Sequence, residues 1–426
     1  MNTQSGQSKG GIAQFRKGDR IVCFGDSKTE MGFYPFALQL LCQLRKPQAG
    51  IRVENCGKSG ETAKRGCARW PLDGRPLGCN RALVLYGSND IGREDWREEV
   101  PSDNAIVRRR NAALADFGIW LPKCVDAILA DGVRAEIVSP APLDEWGNQP
   151  NLRELKLANR ALGRCREIAR KTAEEKALGF SDIFEPLSEI YIRRPDLGFT
   201  GDRIHPDPAA SLLMACRIWL DSGEPGEFAR TEADAGGATS FAMEMEPSAL
   251  PLPVEDKYRK LNKAWPVTEL VNRDILAVSN LAAGTYAIKT DGRTLGVFPA
   301  GVLAAGVNIA VLETPCQESA RKASGICAKL AELVRTRLLR GQVVREIGES
   351  GFSLYDAGGL ASFFARERKA AEALPWKDFR KHVLDTAEQT IPLGEELAAE
   401  EERLRKELGE IRPSRYQIEI ERIGGA

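Results

Sequence analysis

From Arg20 to Leu220 the chain alternates short apolar runs with stretches of helical spacing, and this alternation limits the fold more than any other feature. RIVCF (20–24), IRVEN (51–55), RALVLY (81–86) and RAEIVS (134–139) read as strands, and a fifth is expected over residues 180–184. Between and after them, helices are expected at 33–44, 108–130, 151–175 and 208–220. After Arg81, the run ALVLY is apolar without a break, as a strand covered on both faces must be. Strands that alternate with helices imply a parallel sheet with helices on both sides. Right-handed crossovers then bring the loops that follow the strands to one edge, where open α/β sheets bind their ligands.

The pattern changes after residue 221. Residues 1–15 are polar and Gly-rich and read as a flexible lead-in to a first domain at 16–221. Residues 222–238, SGEPGEFARTEADAGGA, read as a linker. In 239–426, strands are expected at 239–245, 274–278 and 307–312, with a hairpin at 284–298 turning on Asp291-Gly292. Thr314, Pro315 and Gln317 supply an N-cap, a first-turn proline and a capping-box partner for a helix. Further helices are expected at 355–373, 376–388 and 393–409, and a last alternating strand at 415–423. The second domain is therefore expected to be β-rich and sandwich-like, with a helical hairpin inserted at approximately 314–412.

Composition narrows the function. Sixty Lys+Arg balance sixty Asp+Glu, so there is no basic domain of the kind that binds nucleic acid. No apolar run approaches the roughly 20 residues that cross a bilayer, so no membrane insertion is expected. The opening residues carry no apolar segment of a signal peptide. Ten cysteines contain no CxxC pair and no zinc-like spacing, so no metal and no cofactor are expected. A cytoplasmic location with reduced thiols follows; export with the signal peptide removed is the alternative. The composition gives no oligomeric state.

Four segments sit where strands of the first domain end. Gly25-Asp26-Ser27 places a serine at the ligand-binding edge, although Gly-Asp-Ser is also a common turn. Asn55 to Gly60 supplies a glycine whose backbone N–H can approach a ligand. Gly87-Ser88-Asn89-Asp90 supplies an amide donor, or only a turn. Asp202-Arg203-Ile204-His205 puts an acid three residues before one of two histidines in the chain. There it is spaced to orient the imidazole as base to a serine. The other histidine, His382, lies in a charged helical stretch and reads as a surface residue. There is no Gly-x-Ser-x-Gly elbow, phosphate loop or dinucleotide fingerprint.

In this order and on these strand ends, the four segments resemble the blocks of the SGNH/GDSL hydrolase superfamily over residues 16–221. The resemblance implies a flavodoxin-like, three-layer α/β/α domain. It implies Ser27 as nucleophile, His205 as general base and acid, and Asp202 as the residue that holds His205. It also implies an oxyanion hole made by the backbone N–H groups of Ser27 and Gly60 and the Asn89 amide. The family carries an apolar residue where this chain has Lys28, which is read as pointing to solvent, with contact to an anionic substrate as the alternative. Trp146 is a candidate to stack on a sugar, or a packing residue. The two-domain layout resembles bacterial members, and the implied activity is hydrolysis of short acyl esters, with acetylated carbohydrate as leading substrate. A short-chain lipid or aryl esterase and an inactive fold used for binding remain open.

Overall fold

The computed structural model describes residues 11–96, 100, 103–147 and 157–424. Its first unit is built on strands β1 (Arg20–Gly25), β2 (Arg52–Gly57), β3 (Arg81–Leu85), β4 (Arg134–Val138) and β5 (Gly179–Ser181). They form one parallel sheet in the order β2-β1-β3-β4-β5. Helices α1 (Ser27–Glu30), α2 (Phe33–Arg45), α3 (Ala63–Arg69), α4 (Asn104–Ala130), α5 (Ala158–Glu175), α6 (Phe184–Arg193) and α7 (Pro208–Asp221) follow or join the strands. Along β1, Ile21 and Cys23 face the core packed by α2 and α7, while Val22 and Phe24 face the core packed by α4 and α5. Successive side chains of a strand point to opposite faces, so a strand between two helical layers has no polar side to show. This is the expected flavodoxin-like three-layer arrangement.

The second region holds two thin sheets. Strands β6 (Glu227–Asp234), β7 (Ser240–Met245), β8 (Arg273–Ser279), β9 (Thr285–Thr290), β10 (Arg293–Pro299), β11 (Val307–Asn308) and β12 (Tyr416–Gly424) divide between them. One sheet is antiparallel, in the order β10-β9-β12-β7; the other is mixed, in the order β11-β8-β6. The late strand β12 returns to pair with both β7 and β9. Asp291 and Gly292 carry the β9–β10 turn, both with positive φ. Short helices α8 (Asp256–Asn262), α9 (Val267–Val271) and α10 (Ala300–Ala305) lie among the strands. The insertion consists of α11 (Pro315–Glu349), α12 (Ala357–Ala371), α13 (Lys377–Thr390) and α14 (Gly394–Glu410).

Four expectations are corrected here, and a fifth falls partly out of view. Of the lead-in read as flexible, residues 11–15 are anchored, with Ile12 and Phe15 buried in the core and Ile12 N donating to Asp221 O at 2.9 Å. The strand expected at 307–312 stops at Asn308, where a 3-10 turn at Ile309–Val311 begins. The segment read as a linker contains β6, which pairs along its length with β8. Its side chains are exposed or half-buried throughout, so hydropathy does not mark it as a strand. The capping box at Thr314 does not form, because Gln317 is fully buried and serves other backbone groups. Its amide donates to Ala310 O at 2.5 Å and accepts from Val254 N at 3.2 Å. Of the helix expected over 151–175, residues 151–156 lie outside the described residues.

The two regions share one core. Leu41, Leu212, Leu213 and Cys216 of α2 and α7 join Leu250, Leu252, Val271, Leu276, Leu330 and Ile418 in a single apolar cluster. At the end of α2, buried Arg45 donates to Leu250 O, Val271 O and Asn272 Oδ1. All ten cysteines are free thiols, nine of them buried and Cys67 half-buried. Among the described residues, no helix is long and apolar enough to cross a membrane, and no group of three or more His, Cys, Asp or Glu could hold a metal ion.

Candidate active site

Ser27 begins α1 directly beyond β1, so the strand aims its side chain at the ligand-binding edge. Asp26 caps this short helix, its Oδ1 accepting from Lys28 N at 2.9 Å. Ser27 Oγ lies 2.8 Å from His205 Nε2, and His205 Nδ1 lies 2.5 Å from Asp202 Oδ2. The other Asp202 oxygen accepts the backbone N–H groups of Ile204 and His205, at 2.9 and 2.8 Å. That tight return is made possible by Arg203, whose φ of 61° places a non-glycine residue in the left-handed region. Burial raises the Asp202 carboxyl, but the His205 ring, its charge and the two N–H donors outweigh this and hold it below the usual carboxylate range. An ionised Asp202 fixes the proton of His205 on Nδ1 and leaves Nε2 free to accept from the serine.

The loop carrying His205 is strapped on both sides. Asp144 N donates to Arg203 O at 2.8 Å, and Thr200 Oγ1 donates to Asp144 Oδ2 at 3.1 Å. Trp146 sits with Asp144 in the loop after β4, its backbone N–H on Asp144 Oδ1 at 3.2 Å, and is 41% exposed. The exposed indole therefore flanks the histidine loop. On the other side, Lys260 of α8 donates to Gly198 O at 2.8 Å and to Asp207, the cap of α7, at 2.5 Å.

The two further donor candidates are joined through one carbonyl. Gly60 has φ of 75° and open space where a side chain would be, which leaves its backbone uncovered. The Asn89 amide donates to Glu61 O, the residue after Gly60, at 2.8 Å. A carboxamide has two N–H donors, so one is left to face a ligand. Asn89 is aligned by Asp90, whose oxygens accept from Gly87 N at 2.9 Å and Ala63 N at 2.8 Å. Burial outweighs those donors and pushes the Asp90 carboxyl up to about 7.

Lys28 does not point to solvent. It is 4% exposed, and its Nζ donates to Ser88 Oγ at 2.7 Å. Burial, and the charge of Arg93 as well, lower its pKa, with Asp26 and Asp202 acting in the opposite sense. The side chain lies inward because α1 is only four residues long and sinks against the β3 loop. It ties the helix that bears Ser27 to the loop that bears Asn89. Glu30 escapes a reading of the sequence altogether. It is fully buried, with Oε1 accepting from Ser59 Oγ at 2.6 Å and Oε2 from Ser59 N at 2.9 Å. A carboxylate one turn beyond the serine is the only sequence signal it leaves. Gly57 is required beside it, since a Cβ there would lie 2.0 Å from Glu30 N.

A model of the GDSL-like lipase/acylhydrolase family matches residues 23–211. The α/β unit belongs to this family. The GDSL-like unit is similar to an acetylxylan esterase of Geobacillus stearothermophilus, 23% identical over 214 residues, which are 46% of this chain and 91% of that protein. The fold of the whole chain recurs in a gut microbial diltiazem-metabolizing enzyme, with a TM-score of 0.82 at 22% identity, covering 98% of this chain and all of that one. The β-rich region is thus part of an arrangement that the GDSL-like unit of this chain shares with another protein.

Proposed function

We propose that the protein is a serine esterase that removes short acyl groups, chiefly acetyl, from carbohydrate through an acyl-enzyme. The observation that carries this reading is the continuous chain Ser27 Oγ to His205 Nε2, then His205 Nδ1 to Asp202, at hydrogen-bond distances throughout. His205 takes the serine proton as Ser27 attacks the ester carbonyl. The developing oxyanion is met by the N–H groups of Ser27 and Gly60 and the free N–H of Asn89, which are held before the reaction starts. His205 then protonates the leaving alcohol and later activates the water that releases acetate.

The carbohydrate assignment is supported by the likeness of the GDSL-like unit to an acetylxylan esterase and by the exposed Trp146 beside the histidine loop. An aromatic face in that position suits the apolar face of a sugar ring. Lys28, being enclosed, is withdrawn as a substrate contact and assigned to holding the Ser88-Asn89 loop.

The test is acetate release from para-nitrophenyl acetate, longer acyl esters and a panel of acetylated saccharides. Ser27→Ala is expected to lower kcat about 10⁴-fold or more, as loss of a triad member does, with the fold intact by circular dichroism. Strong serine-dependent release from saccharides, falling with acyl length, supports the carbohydrate reading. Preference for longer acyl chains overturns it in favour of a lipid esterase.

A further inference from the structure

Helix α11 rises from the β-rich region and packs along α2 and against β2 of the GDSL-like unit. From this helix Gln342 donates its amide to Glu30 Oε2 at 2.9 Å. The same carboxylate holds Ser59 by both its N–H and its hydroxyl, and the Glu30 carbonyl accepts from Asn55 Nδ2 at 3.2 Å. About one turn further along α11, Arg345 pairs with Asp73. Asp73 pairs in turn with Arg69 at 3.3 Å, and Arg69, buried, pairs with Glu61 at 2.7 Å. Glu61 O is the acceptor that holds the Asn89 amide. Gly60 is therefore bracketed: Ser59 on one side and Glu61 on the other are each connected by hydrogen bonds or ion pairs to α11.

We propose that α11 sets the geometry of the oxyanion loop, with Gln342 a positioning residue that acts through Glu30 on Ser59 and Gly60. The proposal rests on the acyl-transfer reading of Ser27, His205 and Asp202. Its physical basis is simple. A buried carboxylate turns toward the donors that remain when one is lost. Without Gln342, Glu30 and the Ser59-Gly60 backbone it grips lose their anchor outside the GDSL-like unit. A donor displaced by about 1 Å lowers rate by up to about 10²-fold, because it no longer meets the charge that forms in the transition state. Substrate binding, which precedes that charge, changes little.

The experiment compares full-length variants on para-nitrophenyl acetate, with thermal unfolding followed in parallel. Gln342→Met keeps the length of the side chain and removes the donor. It is expected to lower kcat per folded molecule about tenfold with KM within about twofold, beyond any small fall in unfolding midpoint that the lost donor brings. Gln342→Lys restores an N–H donor at this half-buried position and is expected to recover kcat to within about threefold of wild type. Arg345→Met, which cuts the second connection, is expected to move kcat in the same direction. Wild-type kcat in both methionine variants would overturn the proposal. So would a lowered unfolding midpoint with kcat per folded molecule preserved, the mark of a merely structural contact. Ser27→Ala, assayed alongside, separates the two levels. If it is inactive while Gln342→Met and Arg345→Met are normal, only the proposal fails. If it remains active, the acyl-transfer reading fails and the proposal with it.

Discussion

The two regions solve the problem of burying a sheet in opposite ways. Strands β1 and β3 are enclosed almost end to end, with helices on both faces. Strands β6, β7 and β10 are exposed or half-buried over most of their length, and β12 alternates before it frays to exposed residues. A sheet of the first kind makes its own core. Sheets of the second kind have only one apolar face each, and here that face joins the core of α2 and α7. The β-rich region is thus a covering for the GDSL-like unit rather than an independent neighbour of it.

That contrast can be broken by cutting the chain. A protein ending at residue 221 would expose the α2 and α7 surface that now meets Leu250, Leu276 and Ile418. It is expected to be insoluble or to lack a cooperative unfolding transition. A soluble fragment with full esterase activity would show the GDSL-like unit to be self-sufficient. A narrower cut is Arg45→Met. It leaves Leu250 O, Val271 O and Asn272 Oδ1 without the donor they now share. The expected cost is about 3 kcal/mol, from buried acceptors left unpaired, read as a lower denaturant midpoint at constant m-value. A loss below about 1 kcal/mol would mean that this buried arginine contributes little to holding the regions together.

A pH-dependent effect concerns a group inside the first unit. Asp90 titrates near 7 in the folded chain against an ordinary 3.8. The folded state therefore retains a proton that the unfolded chain has released. Its contribution to stability is present in full below about pH 4 and is lost as the pH rises through 7. Asp90→Asn is expected to flatten the fall in stability between those values, measured by denaturant titration at several pH values. An unchanged slope would place the burden elsewhere.

The sequence makes the first unit legible because its sheet is covered by helices that lie next to its strands in the chain. Continuous apolar runs announce strands covered on both faces, and the loops after β1, β2 and β3 carry Ser27, Gly60 and Asn89, while His205 stands in the loop between α6 and α7. Direct hydrogen bonds join Ser27, His205 and Asp202, and Glu61 O links Asn89 to the residue after Gly60. What the sequence hides depends on distant partners. Lys28 looks like a solvated lysine until Ser88, 60 residues away, is seen to receive it. Glu30 gains meaning only from Ser59 and from Gln342, 312 residues on. Strand β6 has no fully buried residue and no continuous apolar run, and only its pairing with β8 identifies it. Gln317 has the spacing of a capping residue but is drawn into the interior by Ala310 and Val254. Local patterns reveal elements and motifs; they do not reveal which buried polar group a remote side chain will satisfy.

The thiols carry a practical consequence. Burial pushes Cys56 up to about 11 and Cys216 and Cys327 up to about 12, so at neutral pH they are neither ionised nor accessible. Cys67 alone is partly open to solvent. The others are spread from β1 to α11, within the GDSL-like unit and the helical insertion alike. A thiol-alkylating reagent therefore finds one slow target in the native molecule, and each further cysteine becomes countable only when the layer around it parts. The GDSL-like unit and α11 carry these reporters, and the order of labelling would record which of their layers opens first.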